Sequence, residues 1–269
     1  MRQLQWLIIL GIAVMFLMVP LATTDLSAIT DLSDGLVLYL PFDEGSGKVA
    51  NDLSGNKHNG VINGATWTKG KFGAALDFNG VDNFVKVPYD DDFIITEAIT
   101  LGAWVTANVP FPLNWKGIIN ARSSTYGPYL LQTGASPAAP LGEMGLYLAG
   151  AWTWAQTLSP LDKNFHHLVG TYDPDQSYIL YFDGKPNNGP NSGPANTTID
   201  KDPGKEGIVI GHNYGYVDRW WDGIIDEVII YNRVLTADEV AELFQQSLST
   251  SLAVGSAGNL STTWGKIKE

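Results

Sequence analysis

Across 269 residues the chain holds 45% hydrophobic and only 16% charged side chains, carries a net charge of −12, and contains no cysteine. The acidic balance argues against nucleic acid or an anionic membrane surface as partner, since both need a basic face, and the lack of cysteine excludes disulfides, thiolate catalysis and zinc–thiolate sites. Abundant Gly and Pro (29 and 14) beside 9 Trp, 11 Tyr and 10 Phe favour many short strands around one large core over long helices.

Met1–Gln5 holds one charge, Arg2, and residues 6–22 are uncharged and largely apolar before Thr23, Thr24 and Asp25. A charged start, an apolar stretch and small residues describe a secretory signal peptide over residues 1–24, with an uncleaved anchor as the alternative. Either way the chain is expected to be secreted or held at the cell surface, with no membrane contact beyond this segment.

The body reads as strands divided by turns. Leu36–Phe42 alternates as a strand, and Asp52-Leu-Ser-Gly-Asn56 is a dense turn signal. Ala74–Phe78 and Phe84–Val87 read as paired strands around the hairpin Asn79–Asn83. Further strands are expected at Ile99–Thr106, Gly117–Ala121, Tyr129–Gln132, Gly145–Leu148, Phe165–Tyr172, Tyr178–Phe182, Gly207–Gly211 and Gly223–Tyr231. Between them, Asp183–Gly207 reads as one long surface loop. No helical crossover pattern intervenes, so the fold class is all-β, two stacked antiparallel sheets in a single domain over residues 35–246. One short C-terminal helix is signalled by the capping box Thr236-Ala-Asp-Glu239 and the stripe Val240, Leu243, Phe244. Residues 247–269, rich in Ser, Thr, Gly and Ala, are expected to be a loosely ordered tail.

Six segments in order, Leu38–Glu44, Asp52–Asn56, Gly70–Gly80, His167–Asp173, Tyr181–Lys185 and Gly223–Val228, resemble the laminin-G-like jelly-roll domains of the concanavalin A-like lectin and glucanase superfamily. The likeness runs from Gly35 to Leu243 and implies a concanavalin A-like jelly-roll sandwich. It implies less about activity, because the fold carries lectins, glycanases and adhesion modules alike.

Asp226 reads as a carboxylate on an apolar strand face with Ile224, Val228 and Ile230, with Glu227 on the opposite face. Such a group needs a cation or several amides. The resemblance implies a structural Ca²⁺ held by Asp43, Asp82 and Asp226 with the Gly80 carbonyl; the alternative is that Asp226 caps loop amides. Asp52, Ser54 and Asn56 lack the following glutamate of a helix-loop-helix calcium site and read as a side-chain-stabilised turn.

Catalytic residues are not expected. Glycosidases need two carboxylates across a sugar ring, and the Glu-x-Asp-x-x-Glu string of the laminarinase-like members is absent. His166 and His167 point to opposite strand faces, so a structural role is expected for them. Aromatic and polar residues offer a binding surface instead. Trp152 and Trp154 form one loop, and Tyr214, Tyr216 and Trp220, with Asn213, Asp218 and Arg219, another; flat rings suit sugar C–H faces and the polar groups suit hydroxyls. Trp221 is expected in the core. The function expected is therefore non-catalytic recognition of a glycan, or, alternatively, of an extracellular protein surface.

Overall fold

This computed structural model describes residues 31–108, 115–121, 127–134, 140–191, 196–201 and 205–253. The expected signal segment over residues 1–24 and the part of the expected tail beyond residue 253 lie outside the described residues.

The first strands are β1 (Leu36–Leu40), β2 (Val49–Ala50), β3 (Gly60–Asn63), β4 (Thr66–Lys69), β5 (Ala74–Asn79) and β6 (Phe84–Val87). There follow β7 (Ile99–Val105), β8 (Gly117–Asn120), β9 (Tyr129–Thr133), β10 (Leu141–Leu148), β11 (Ala151–Pro160) and β12 (His166–Asp173). The series ends with β13 (Ser177–Phe182), β14 (Lys185–Pro186), β15 (Asn188–Asn191), β16 (Ile208–Ile210) and β17 (Asp222–Tyr231), and then helix α1 (Ala237–Gln245).

All pairings are antiparallel. One sheet runs β14-β13-β12-β7-β17-β5-β4, with β1 also on β17; the other runs β15-β11-β10-β9-β8-β16-β6-β3-β2. The two-sheet sandwich expected from the strand pattern is the one observed. Its main core gathers inward residues of both sheets, among them Leu76, Val105, Tyr129, Leu131, Met144, Leu146, Leu168, Ile210, Trp221 and Ile225. Alternation along the strands explains this: Met144 and Leu146 point inward, so Glu143, Gly145 and Tyr147 point outward.

The outer face of the first sheet is covered. Tyr39, Val169, Tyr181, Ile229 and Tyr231 form a second cluster with Leu235, Val240, Leu243 and Leu248. Helix α1 supplies this cover, and its start carries the expected capping box. Thr236 Oγ1 accepts from the Glu239 amide at 3.3 Å and the Glu239 carboxylate accepts from the Thr236 amide at 2.7 Å. Arg233 grips both Glu239 oxygens at 2.7 and 3.0 Å.

Several segments differ from their sequence reading. Trp152 and Trp154 lie on β11, paired with β10 and β15, and not on a loop. The stretch expected to be one long loop contains β14 and β15. The segment after Gln246 is docked: Leu248 is buried, and Ser247 and the Leu248 amide both bond Glu227. In β17 the register against β7 shifts between Asp226 and Ile229, and Glu227 takes a left-handed φ of 52°. This bulge breaks the two-residue alternation. Val228 and Ile230 consequently face the main core with Ile225. Asp226 therefore does not share their face, and Glu227 is not opposite it; both carboxylates sit on the covered side.

Candidate functional site

The outer face of the second sheet bears a cleft of about 200 Å³ lined by Trp115, Leu130, Gln132, Glu143, Gly145, Trp152, Thr153, Trp154, Asn213, Tyr216 and Arg219. Pairing register builds it. Gln156, Glu143 and Gln132 face one another across β11, β10 and β9. The next outward row is Trp154, Gly145 and Leu130, and Trp152 follows opposite Tyr147. Gly145 makes the dent, since a Cβ there would lie 3.1 Å from Leu130 Cδ1 and 3.5 Å from Trp152 Cζ3.

The polar row is a directed relay. Asn120 Nδ2 donates to Asn213 Oδ1 at 3.1 Å, and Asn213 Nδ2 donates to Gln132 Oε1 at 2.6 Å. Gln132 Nε2 then donates to Glu143 Oε1 at 2.6 Å, and from the other side Gln156 Nε2 donates to Glu143 Oε2 at 2.7 Å. An ionised carboxylate only accepts, so Glu143 fixes the orientation of both flanking amides. Burial pushes the Glu143 carboxyl above its usual range, while the two amides and the Arg219 charge pull it down.

The third side comes from the segment after β16 and from Trp115, two residues before β8. The Arg219 guanidinium lies 3.4 Å from the Tyr216 ring centroid and 4.8 Å from that of Trp115. Trp115 itself has φ 59°, a conformation rare for a bulky side chain. Its carbonyl accepts from Asn213 Nδ2 at 3.3 Å. Trp154 lines the cleft and is 36% exposed.

Five of the expected binding residues, Trp152, Trp154, Asn213, Tyr216 and Arg219, are thus brought together. Three are not in the lining. Trp220 stacks on His212 with centroids 3.5 Å apart and its Nε1 donates to the Val217 carbonyl. Tyr214 lies beneath the Lys86 ammonium, 5.2 Å from its ring. Asp218 has an exposed side chain, and its carbonyl accepts from Lys116 Nζ at 2.8 Å. Sequence reasoning missed Trp115, which lies outside any strand, and Gln132, Glu143 and Gly145, whose only signal was a polar residue or a glycine on an outward position of an apolar strand.

The expected calcium ligands divide. Asp226 Oδ2 accepts from the Lys71 and Phe72 amides at 2.8 and 3.2 Å, and Asp43 Oδ1 accepts from the Ala74 amide at 2.9 Å. Both therefore grip the same turn. Asp226 Oδ1 is buried without a hydrogen-bond partner, and burial, then Glu227 beside it, pushes this carboxyl up to about 8. That orphaned oxygen near Asp43 fits a hard, oxygen-seeking cation. Asp82 does not join them, which corrects that part of the ligand set, whereas the expected Gly80 carbonyl ligand stays an expectation. Asp82 accepts from the Asn79 and Asn83 side chains within its own hairpin. Among the described residues, the one trio of metal-type ligand atoms within 4.8 Å is His58, Asp90 and Asp92, elsewhere on the surface.

Other sequence readings hold. Asp52 accepts from the Tyr39, Ser54 and His58 amides, a side-chain-stabilised turn. Trp221 is fully buried. His167 stacks on Trp104 with centroids 5.0 Å apart, and its buried ring is pushed down to about 3, first by burial and then by the Lys71 charge.

A family model described as the concanavalin A-like lectin/glucanases superfamily matches residues 79–241. No curated protein matches the chain. Among solved structures, the binding domain of Paraclostridial Mosquitocidal Protein 1 is similar at 16% identity and TM-score 0.61, covering 79% of this chain and 52% of that one. Domain 4 of AbnA, an extracellular arabinanase of Geobacillus stearothermophilus in complex with arabinotriose, gives 18% identity and TM-score 0.55, covering 77% and 97%. The ligand-binding domain of botulinum neurotoxin serotype D in complex with N-acetylneuraminic acid gives 14% identity and TM-score 0.58, covering 81% and 52%. This chain therefore spans about half the length of the two toxin domains. At these identities the likeness is one of fold.

Proposed function

This chain belongs to the concanavalin A-like lectin/glucanases superfamily, and we propose that it is an exported, non-catalytic module that binds carbohydrate in the cleft around Gly145. The observation that carries the reading is the juxtaposition of two rows. Trp154 and Trp152 offer apolar ring faces on one side of the dent, and Gln132, Glu143 and Asn213 offer polar atoms on the other. A sugar ring has that same division, an apolar C–H face and a hydroxyl edge. Two structures sharing the fold were solved with arabinotriose and with N-acetylneuraminic acid, which supports the class of ligand.

Glycoside hydrolysis is disfavoured by the composition of the cleft. Two carboxyl groups roughly 5–10 Å apart are needed, and among the described lining residues Glu143 is the single carboxylate. Asp43 and Asp226 are proposed to hold a structural Ca²⁺ that braces the Gly70–Ala74 turn and takes no part in sugar contact.

The test is a glycan array with the folded protein, repeated with Trp154→Ala and Gln132→Ala. Binding lost in both variants supports the cleft as the site. No binding to any glycan by the folded protein would move the reading to an extracellular protein partner.

A further inference from the structure

The direction of the hydrogen-bond relay selects among sugars. Every donor in the row points toward Glu143: Asn120 to Asn213 to Gln132 to Glu143 from one side, and Gln156 from the other. The relay thus terminates on an acceptor. Each carboxylate oxygen already receives one amide hydrogen and keeps a further lone pair for a ligand. A group seated above Glu143 must donate, as a hydroxyl does; a carboxylate, sulfate or phosphate would set acceptor against acceptor.

Charge within the lining points the same way. Arg219 is the one cation and Glu143 the one anion among the described lining residues, and the two attract each other. The guanidinium face is already applied to Tyr216. An anionic ligand would therefore meet a site without surplus positive charge and with a buried carboxylate in its floor.

Size supplies the second limit. A cleft of about 200 Å³ falls below the roughly 300–1,000 Å³ of sites that enclose drug-sized ligands. It holds one ring, with the Gly145 dent as its centre.

Resting on the carbohydrate reading above, we infer that the cleft receives a single neutral sugar residue, with hydroxyl donors on Glu143, and discriminates against uronic, sialic and sulfated sugars. The two structural relatives solved with sugars hold a neutral oligosaccharide and an acidic sugar, so the inference assigns this chain to one side of that division.

The experiment measures binding of the full chain to paired probes that differ only at the point in question. The pairs are the methyl glycosides of glucose and glucuronic acid, and of galactose and galacturonic acid; methyl arabinofuranoside is set against arabinotriose, and N-acetylneuraminic acid is tested alone. At least one neutral monosaccharide glycoside is expected to bind, at least tenfold tighter than its uronic partner and within about threefold of its own oligosaccharide. Glu143→Gln is expected to weaken the neutral probe at least tenfold and to narrow the neutral-to-uronic ratio. Preference of the wild-type protein for the uronic or sialic probe would overturn the inference while leaving the carbohydrate reading standing. So would a tenfold or greater gain from methyl arabinofuranoside to arabinotriose. Failure of the folded protein to bind any sugar overturns the carbohydrate reading itself, and the inference with it. The wild-type comparisons need no variant to fold.

Discussion

Glu143 and Gln156 face each other across β10 and β11, and the Gln156 side-chain amide donates to Glu143 Oε2 at 2.7 Å. The pair anchors one end of the polar row. Gln156→Leu keeps the bulk and deletes the donor. A buried acceptor left unpaired costs about 1–3 kcal/mol, and the expected loss in chemical denaturation falls in that range. An unchanged midpoint would mean that Glu143 has another partner or sits protonated.

Gly145 is a position where adding atoms should remove binding without unfolding the protein. The atoms nearest a Cβ there belong to the Leu130 and Trp152 side chains. Gly145→Ala is expected to cost less than about 1–3 kcal/mol, the range for modest overpacking, and Gly145→Val to abolish sugar binding at least tenfold. Retained affinity in a folded Gly145→Val protein would place the ligand elsewhere.

His167 sets an acid limit on stability. Its folded pKa is depressed to about 3 by burial, from an ordinary value of about 6.5. The unfolded chain therefore binds a proton between these values that the folded one refuses. The stability tied to a neutral His167 is fully present above pH of about 6.5 and is lost as pH falls toward 3, with a slope of up to about 1.4 kcal/mol per pH unit. Stability measured at several pH values in that window should show a shallower slope in His167→Gln. Parallel curves for the two proteins would refute the assignment.

Calcium is expected to act on stability and not on the cleft. Added Ca²⁺ at one hundred times its dissociation constant should raise the unfolding free energy by about 2.7 kcal/mol, and Asp226→Asn should abolish the gain. Sugar affinity is expected to stay the same with chelator. A chelator-sensitive affinity would join the two sites, which the geometry keeps on different sheets.

Thr236→Ala tests the cover of the first sheet. Loss of the cap costs about 1 kcal/mol and should loosen α1 before the sandwich, read as faster amide exchange at Val240 and Leu243. Uniform exchange throughout would show that the helix and sandwich open as one unit.

Much of this architecture was legible in local signals. The capping box at Thr236, the Asp52 turn and the alternating strands each depend on neighbours within a few residues. The aromatic segment after β16 also announced itself by composition, and Asn213, Tyr216 and Arg219 do reach the cleft. The polar row was not legible. Gln132, Glu143 and Gln156 are separated by 11 and 13 residues, and only the register of three strands sets them side by side. Two backbone irregularities were equally hidden. The left-handed Trp115 turns its indole to the cleft, and the bulge at Glu227 moves Asp226 off the core face. Neither leaves a glycine or proline to mark it.

The coverage of the first sheet by α1 and Leu248 has a practical corollary. At Ala253 the described chain departs from the α1 side of the sandwich, whereas the cleft opens on the opposite face. A fluorophore coupled at residue 253 therefore stands behind the face that carries the cleft. A molecule tethered at that residue presents its Trp154 side outward, as a coin lying tails down shows its head.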